Sequence, residues 1–162
     1  MTDFRGLIQT LHDSHVDFIV VGGAAATAHG SARLTLDLDI VYRRTPGNMA
    51  NIVRALAVHR PYLRGAPPGL PFRWDEATLT HGLNFTLITD IGAIDLLGEI
   101  TGGGGYDALL PRTEALQVFG IECRCLSLEQ LIAVKRAAGR VKDLEAIAEL
   151  EVIREERDDA AL

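Results

Sequence analysis

The segment Thr35-Leu36-Asp37-Leu38-Asp39-Ile40 alternates apolar and acidic residues. On a β-strand, residues two apart project from the same face. Asp37 and Asp39 then stand side by side, while Leu36, Leu38 and Ile40 turn toward the core. Neighbouring carboxylates repel each other unless a cation lies between them. Hard divalent cations such as Mg²⁺ take oxygen ligands, commonly one or two carboxylates together with substrate phosphates. The spacing therefore points to metal-dependent phosphate chemistry, or, with no partner, to an acidic face of a half-buried strand. Two further segments bear on that choice. Val21-Gly22-Gly23 ends an apolar run and opens an Ala-rich stretch. Backbone amides left uncovered at such a strand-to-helix junction suit a phosphate, although a glycine pair also makes an ordinary turn. Ile94-Asp95-Leu96 sets an acid between apolar neighbours. Burying it without a partner is costly, so a shared metal would account for it, as would a place at a sheet margin.

Basic residues supply the complementary charge. Arg33 lies four residues before Asp37, where it could reach a phosphate or form a structural ion pair. Lys135, Arg136, Arg140 and Lys142 concentrate four cations in eight residues. They suit a triphosphate or a nucleic-acid acceptor, or else a solvated helix end. Lys135 is the first choice, because it follows the apolar stripe Leu128, Leu131, Ile132 toward the helix–sheet edge. Lys142 and Asp143 could instead interact locally at a helix start. His29, beside the glycine turn, reads as a helix-end residue or a phosphate contact. The other histidines have no metal-ligand spacing. Phe72, Arg73 and Trp74 could stack on a base or anchor a loop by burial. Gly103, Gly105 and Ala108 loosely match a dinucleotide fingerprint, but Pro111 stops any helix there and no acidic strand end follows.

The elements that must position these groups follow from periodicity. Residues 4–14 form an amphipathic helix through Leu7, Ile8 and Leu11, and residues 17–21 a buried strand. Residues 24–29 form a short helix stopped by Gly30. Leu36 to Ile40 is the acidic strand. Thr45-Pro46 caps a helix with Met49, Ile52, Val53 and Leu56 on its apolar face. Residues 60–75 contain Pro61, Pro67, Pro68 and Pro71 and read as a long surface loop, a length often functional. Residues 83–87 and 93–97 are strands joined by the turn at 89–92, residues 102–105 are a glycine loop, and residues 116–125 are the last strand. Ser127 with Gln130 opens a helix ending near Gly139. A final helix from Val141 directs Leu144, Ile147, Ala148 and Val152 inward, and the charged tail after Arg154 frays. The order implies an α/β (α+β) domain with a central mixed sheet flanked by helices, two of them C-terminal.

Composition bounds the remaining choices. A chain of 162 residues favours a single domain over 1–162, with a core of about 15–155. It is 48% hydrophobic and 23% charged, with a formal net charge of -6. That charge disfavours a protein that coats nucleic acid non-specifically. No apolar run is long enough for a membrane span, and no signal-peptide layout opens the chain. Cys123 and Cys125 are too close for a good disulfide. The expectation is a cytoplasmic setting.

Taken together, Val21-Gly22-Gly23, Asp37-Leu38-Asp39-Ile40 and Ile94-Asp95-Leu96 resemble the nucleotidyltransferase superfamily typified by DNA polymerase β. Its pattern is an apolar residue before Gly-Gly or Gly-Ser, a short helix, acid-apolar-acid-apolar, and a later apolar-acid-apolar. Thirteen residues separate Gly23 from Asp37, a long but tolerated spacing. The strings VGGAAATAHGSARLTLDLDI and SLEQLIAVKRAAGRVKDLEAIAEL look like the small bacterial branch related to abortive-infection and toxin–antitoxin nucleotidyltransferases. The resemblance covers roughly residues 15–155. It implies an enzyme that moves a nucleoside monophosphate from an NTP to a hydroxyl on RNA, protein or a small molecule such as an aminoglycoside. Asp37, Asp39 and Asp95 would be catalytic and hold two Mg²⁺ ions, with Asp95 also assisting deprotonation of the acceptor. Gly22, Gly23, Arg33 and Lys135 would bind the nucleotide. Gly23 departs from the serine common at its position and offers only its amide. A partner protein or a homo-oligomer is implied for a toxin–antitoxin or phage-defence role. The alternative is a non-catalytic nucleotide-binding antitoxin or regulatory subunit.

Overall fold

The computed structural model describes all residues, 1–162. Its strands are β1 (Phe18–Val21), β2 (Asp37–Tyr42), β3 (Tyr62–Leu63), β4 (Phe85–Thr89), β5 (Gly92–Leu97), β6 (Glu99–Ile100), β7 (Gly104–Gly105), β8 (Thr113–Val118) and β9 (Ile121–Leu126). Its helices are α1 (Phe4–Asp13), α2 (Gly22–Ala28), α3 (Pro46–Ala57), α4 (Glu76–His81), α5 (Tyr106–Leu109), α6 (Leu128–Ala138) and α7 (Val141–Ala160). Seven strands form one mixed sheet in the order β3-β4-β5-β2-β1-β9-β8, and β6 and β7 form a separate ribbon. The central pairs decide the function-bearing register. β1 runs antiparallel to β2, and β2 parallel to β5.

Helices α1, α3 and α4 pack as one group, and α2, α6 and α7 as another. A single apolar cluster joins 33 buried residues, including Leu7, Ile8 and Leu11 of α1, Leu38 and Ile40 of β2, and Ile94 and Leu96 of β5. Short-range signals behave as their chemistry dictates. Thr45 Oγ1 accepts from the Asn48 amide, with Pro46 in the first turn of α3. Ser127 Oγ accepts from the Gln130 amide, and α6 ends on Gly139 at φ 64°. Buried Asn48 accepts from the Asp17 amide and donates to the carbonyls of Asp17 and Arg43, which ties α3 to β1 and β2. No helix is long and apolar enough to cross a membrane.

Several expectations are corrected. The stretch 116–125 is a hairpin rather than one strand, because Phe119 (φ 49°) and Gly120 (φ 85°) reverse the chain. The stretch 60–75 begins with β3, paired to β4, rather than being irregular throughout. Leu36 precedes β2 and is 72% exposed, so the core face of that strand begins at Leu38. The inward side of α7 is Asp143, Ala146 and Leu150, whereas Leu144 and Val152 face solvent. The helix also continues past Arg154 to Ala160, because Arg157 reaches back to His29. The first helical residue of α2 is Gly22, two residues before the expected start.

Candidate active site

The acidic cluster is a product of sheet register. Parallel pairing sets Asp39 directly beside Asp95, and Asp37 lies two residues back along β2 on the same face. One ligand oxygen from each of the three carboxylates lies within 4.8 Å of the others. Burial pushes the carboxyl of Asp39 up to about 8, with the charges of Asp37 and Asp95 adding to the shift. Burial also raises Asp95, as does its contact with Asp37, while Arg64 opposes the rise. Asp39 Oδ1 is buried and accepts no hydrogen bond. Convergent carboxylates, an orphaned acceptor and a raised affinity for positive charge fit a hard divalent cation.

Gly22 owes its identity to the same cluster, and Gly23 to the loop before β2. Gly22 has φ +61°, and a Cβ there would lie 2.3 Å from Asp39 Oδ2. A Cβ on Gly23 would lie 2.5 Å from Thr35 Oγ1. The close approach of β2 and the preceding loop thus excludes side chains at both positions. No side chain caps α2 either. Its first N–H groups lack intrahelical acceptors and are left for water or a ligand.

A cavity of about 370 Å³ opens beside the acids and is lined by Gly22, Gly23, Arg33, Thr35, Asp37, Asp39, Asp95, Lys135, Arg140, Lys142, Asp143 and Glu149, among others. The sequence-selected residues Gly22, Gly23, Arg33, Asp37, Asp39, Asp95 and Lys135 all meet there. Arg33 pairs with Glu145 at 3.5 Å on the exposed wall. Lys135 Nζ lies 4.0 Å from Asp143 Oδ1, and burial lowers its pKa. Arg140 holds the nearly inaccessible Asp143 through Nε at 2.8 Å and Nη2 at 3.2 Å, and keeps that carboxyl below its ordinary range. Glu149 of α7 accepts from Ser31 Oγ at 2.5 Å and from the Ala32 amide at 3.2 Å. These bonds tie the Arg33 loop to the helix. A second cavity, of about 430 Å³, shares Gly22, Asp39, Lys135 and Arg140 with the first. Its far wall is largely apolar, with Leu97, Ile100, Leu126, Leu131 and Val134 beside Asn84 and Glu99.

Arg64 is the residue that sequence reasoning missed. Leaving β3, it donates to Asp95 Oδ1 at 2.5 Å, to the Leu87 carbonyl at 3.0 Å and to Asp37 Oδ2 at 3.4 Å. Its only local signal is a short aromatic-apolar pair before a glycine inside a proline-rich stretch. Nothing in that spacing connects it to acids 27 and 31 residues away.

Other singled-out residues do structural work. His29 caps α2 and is buried. Arg157 can only donate to its Nδ1, so Nε2–H donates to the Leu126 carbonyl at 2.7 Å. Its burial lowers the pKa and keeps the ring neutral. Trp74 donates to the Val53 carbonyl at 2.9 Å and packs on the core, anchoring its loop. Arg136 pairs with Glu151 on the neighbouring helix. Cys123 and Cys125 are free, and burial raises both thiols, to about 11 and about 12.

No protein-family model matches this sequence, and no curated protein matches it. Solved structures do match. One is a crystal structure from Thermotoga maritima provisionally assigned as a nucleotidyltransferase, 16% identical, with a TM-score of 0.50 over 98% of this chain and 96% of that one. Another is the antibiotic-resistance factor ANT(2'')-Ia, studied in solution for substrate-regulated conformational dynamics. It is also 16% identical, with a TM-score of 0.54 over 97% of this chain and 90% of that one.

Proposed function

We propose that this chain, which has the nucleotidyltransferase fold, transfers a nucleoside monophosphate from an NTP to an acceptor hydroxyl. The observation that carries the reading is the convergence of three carboxylates in a cavity that also carries Arg33, Lys135, Arg140 and Lys142, with one of the acids, Asp39, shared with a second, more apolar cavity. Asp37, Asp39 and Asp95 would hold Mg²⁺, two ions in the fully loaded site. Such a pair, when bound, stabilises the attacking and leaving oxygens of an in-line displacement.

The chain's own groups do the rest. Arg33, Lys135, Arg140 and Lys142 attract the triphosphate into the first cavity. Gly22 and Gly23 contact it through backbone amides alone. The acceptor enters from the second cavity, and Asp95 takes its hydroxyl proton. The acceptor oxygen then bonds to the α-phosphorus as the bond to the bridging oxygen breaks, and pyrophosphate leaves. A cavity of about 430 Å³ suits a small molecule or one protruding end of RNA or protein rather than a duplex. A toxin–antitoxin or phage-defence setting, with a protein partner or a second copy and a cytoplasmic location, belongs to the same proposal.

The test is incubation of the purified chain with labelled NTPs, Mg²⁺ and cell extract. The expected result is a labelled acceptor and released pyrophosphate, both lost in the Asp37→Asn/Asp39→Asn double variant. Mg²⁺-dependent thermal stabilisation by NTP with no labelled product would identify a binding subunit instead. Neither labelling nor stabilisation would reject both readings.

A further inference from the structure

Arg64 places a permanent positive charge where the acidic cluster calls for a cation. Its guanidinium bridges Asp37 Oδ2 and Asp95 Oδ1, two of the three carboxylates that converge at the site. A guanidinium and a divalent ion in contact with the same carboxylates repel each other, and neither is screened well in a partly buried cluster. The fit of Arg64 is also incomplete. Its Nε is buried with no acceptor, and Asp39 Oδ1 is buried with no donor. Arg64 therefore neutralises two of the acids and leaves the third, Asp39, without a donor.

The backbone around it is well held. The Arg64 amide donates to the Thr86 carbonyl at 3.0 Å, extending the β3–β4 ladder. The side chain is 31% exposed and so has a route to solvent. Rotation about its own torsions can free the carboxylates without moving the strand.

We propose that Arg64 is a built-in counter-cation that competes with a divalent metal ion for Asp37 and Asp95. The inference rests on the reading of those acids as metal ligands. Without metal, Arg64 relieves the repulsion among the three acids. Metal entry requires its guanidinium to turn outward, which lowers the affinity of the free chain for the ion and sets a threshold for loading.

Mn²⁺ titration of the whole chain, followed by electron paramagnetic resonance, tests this in the wild type, Arg64→Gln, Arg64→Lys and Asp37→Asn/Asp39→Asn. Arg64→Gln is expected to bind Mn²⁺ about tenfold or more tightly than wild type, as loss of an adjacent like charge predicts. Arg64→Lys, still cationic but without the two-pronged contact, is expected to fall between them. Without metal, Arg64→Gln should melt below wild type, and saturating Mn²⁺ should raise its melting temperature by the larger amount. Equal or weaker Mn²⁺ binding by folded Arg64→Gln overturns the counter-cation alone, provided wild-type binding depends on Asp37 and Asp39. Absence of Mn²⁺ binding in wild type and Arg64→Gln overturns the metal reading as well. If Arg64→Gln is unfolded without metal, recovery of its circular dichroism in Mn²⁺ supports the competition and failure to recover overturns it.

Discussion

The three converging carboxylates come from two neighbouring strands, whereas the cations around them come from separate elements: a loop (Arg33), the turn after β3 (Arg64), helix α6 (Lys135), the α6–α7 junction (Arg140) and the first turn of α7 (Lys142). The acids are anchored in the core by Leu38, Ile40, Ile94 and Leu96, all inaccessible to solvent. Among the cations, Arg33 and Arg140 are about half exposed, whereas Lys135 and Arg64 are more deeply set. An acidic floor anchored in the core, beneath a wall that carries several cations, suits nucleotidyl transfer. Reacting groups need fixed geometry, while a mobile polyphosphate needs mainly positive potential.

The contrast is broken most severely at the acids. Asp37→Asn combined with Asp39→Asn should cut transfer by about a thousandfold or more, the scale of several kcal/mol of charge stabilisation. Melting of the metal-free protein near neutral pH should change little, since the folded chain already holds Asp39 largely protonated and Arg64 keeps its contact with Asp95. Initial-rate assays and thermal unfolding check the two halves.

Gly22→Ala comes next. The new Cβ would press on Asp39 Oδ2 in a backbone with φ +61°. The expected cost is about 1–3 kcal/mol of stability, read by denaturant titration. Activity should fall too, because the acid is displaced.

A pH series sharpens the comparison further. Asp39 titrates near 8 when folded and near 3.8 when unfolded, so between these values the folded state binds more protons. The contribution of Asp39 to metal-free stability is fully present below about 3.8 and declines as pH rises toward 8, by at most about 1.4 kcal/mol per pH unit for this one group. The raised Asp95 acts in the same direction. Chemical denaturation of Asp39→Asn should show a shallower decline, whereas Arg33→Ala should leave the slope unchanged. Divalent ions compete with the same proton, so their binding should strengthen across the window.

The smallest effect is expected on the basic wall. Arg33→Ala removes an exposed ion pair with Glu145, so stability should change by no more than about 1 kcal/mol. The KM for NTP should rise several-fold with little change in kcat, because one of several cations is lost. Steady-state kinetics at two salt concentrations checks this, the difference shrinking at high salt.

The alternation Asp37-Leu38-Asp39-Ile40 determined a strand with both acids on one face, because a pleated backbone has a period of two. Thr45, Ser127 and Gly139 likewise determined helix ends through local hydrogen bonds and backbone preference. Both kinds of signal act within a few residues. Family resemblance joined Asp95 to the other two acids, but only the sheet set it beside Asp39, through a parallel pairing that spans 56 residues of chain. Tertiary structure alone brought Arg64 to those acids, because the β3–β4 pairing and not its neighbours aims it. It also decided which side of α7 is buried. Packing on α6 selected Asp143, Ala146 and Leu150, while Leu144 and Val152 stayed in solvent. Periodicity reports a helix's apolar stripe, but which residues are covered depends on the surface available to cover them.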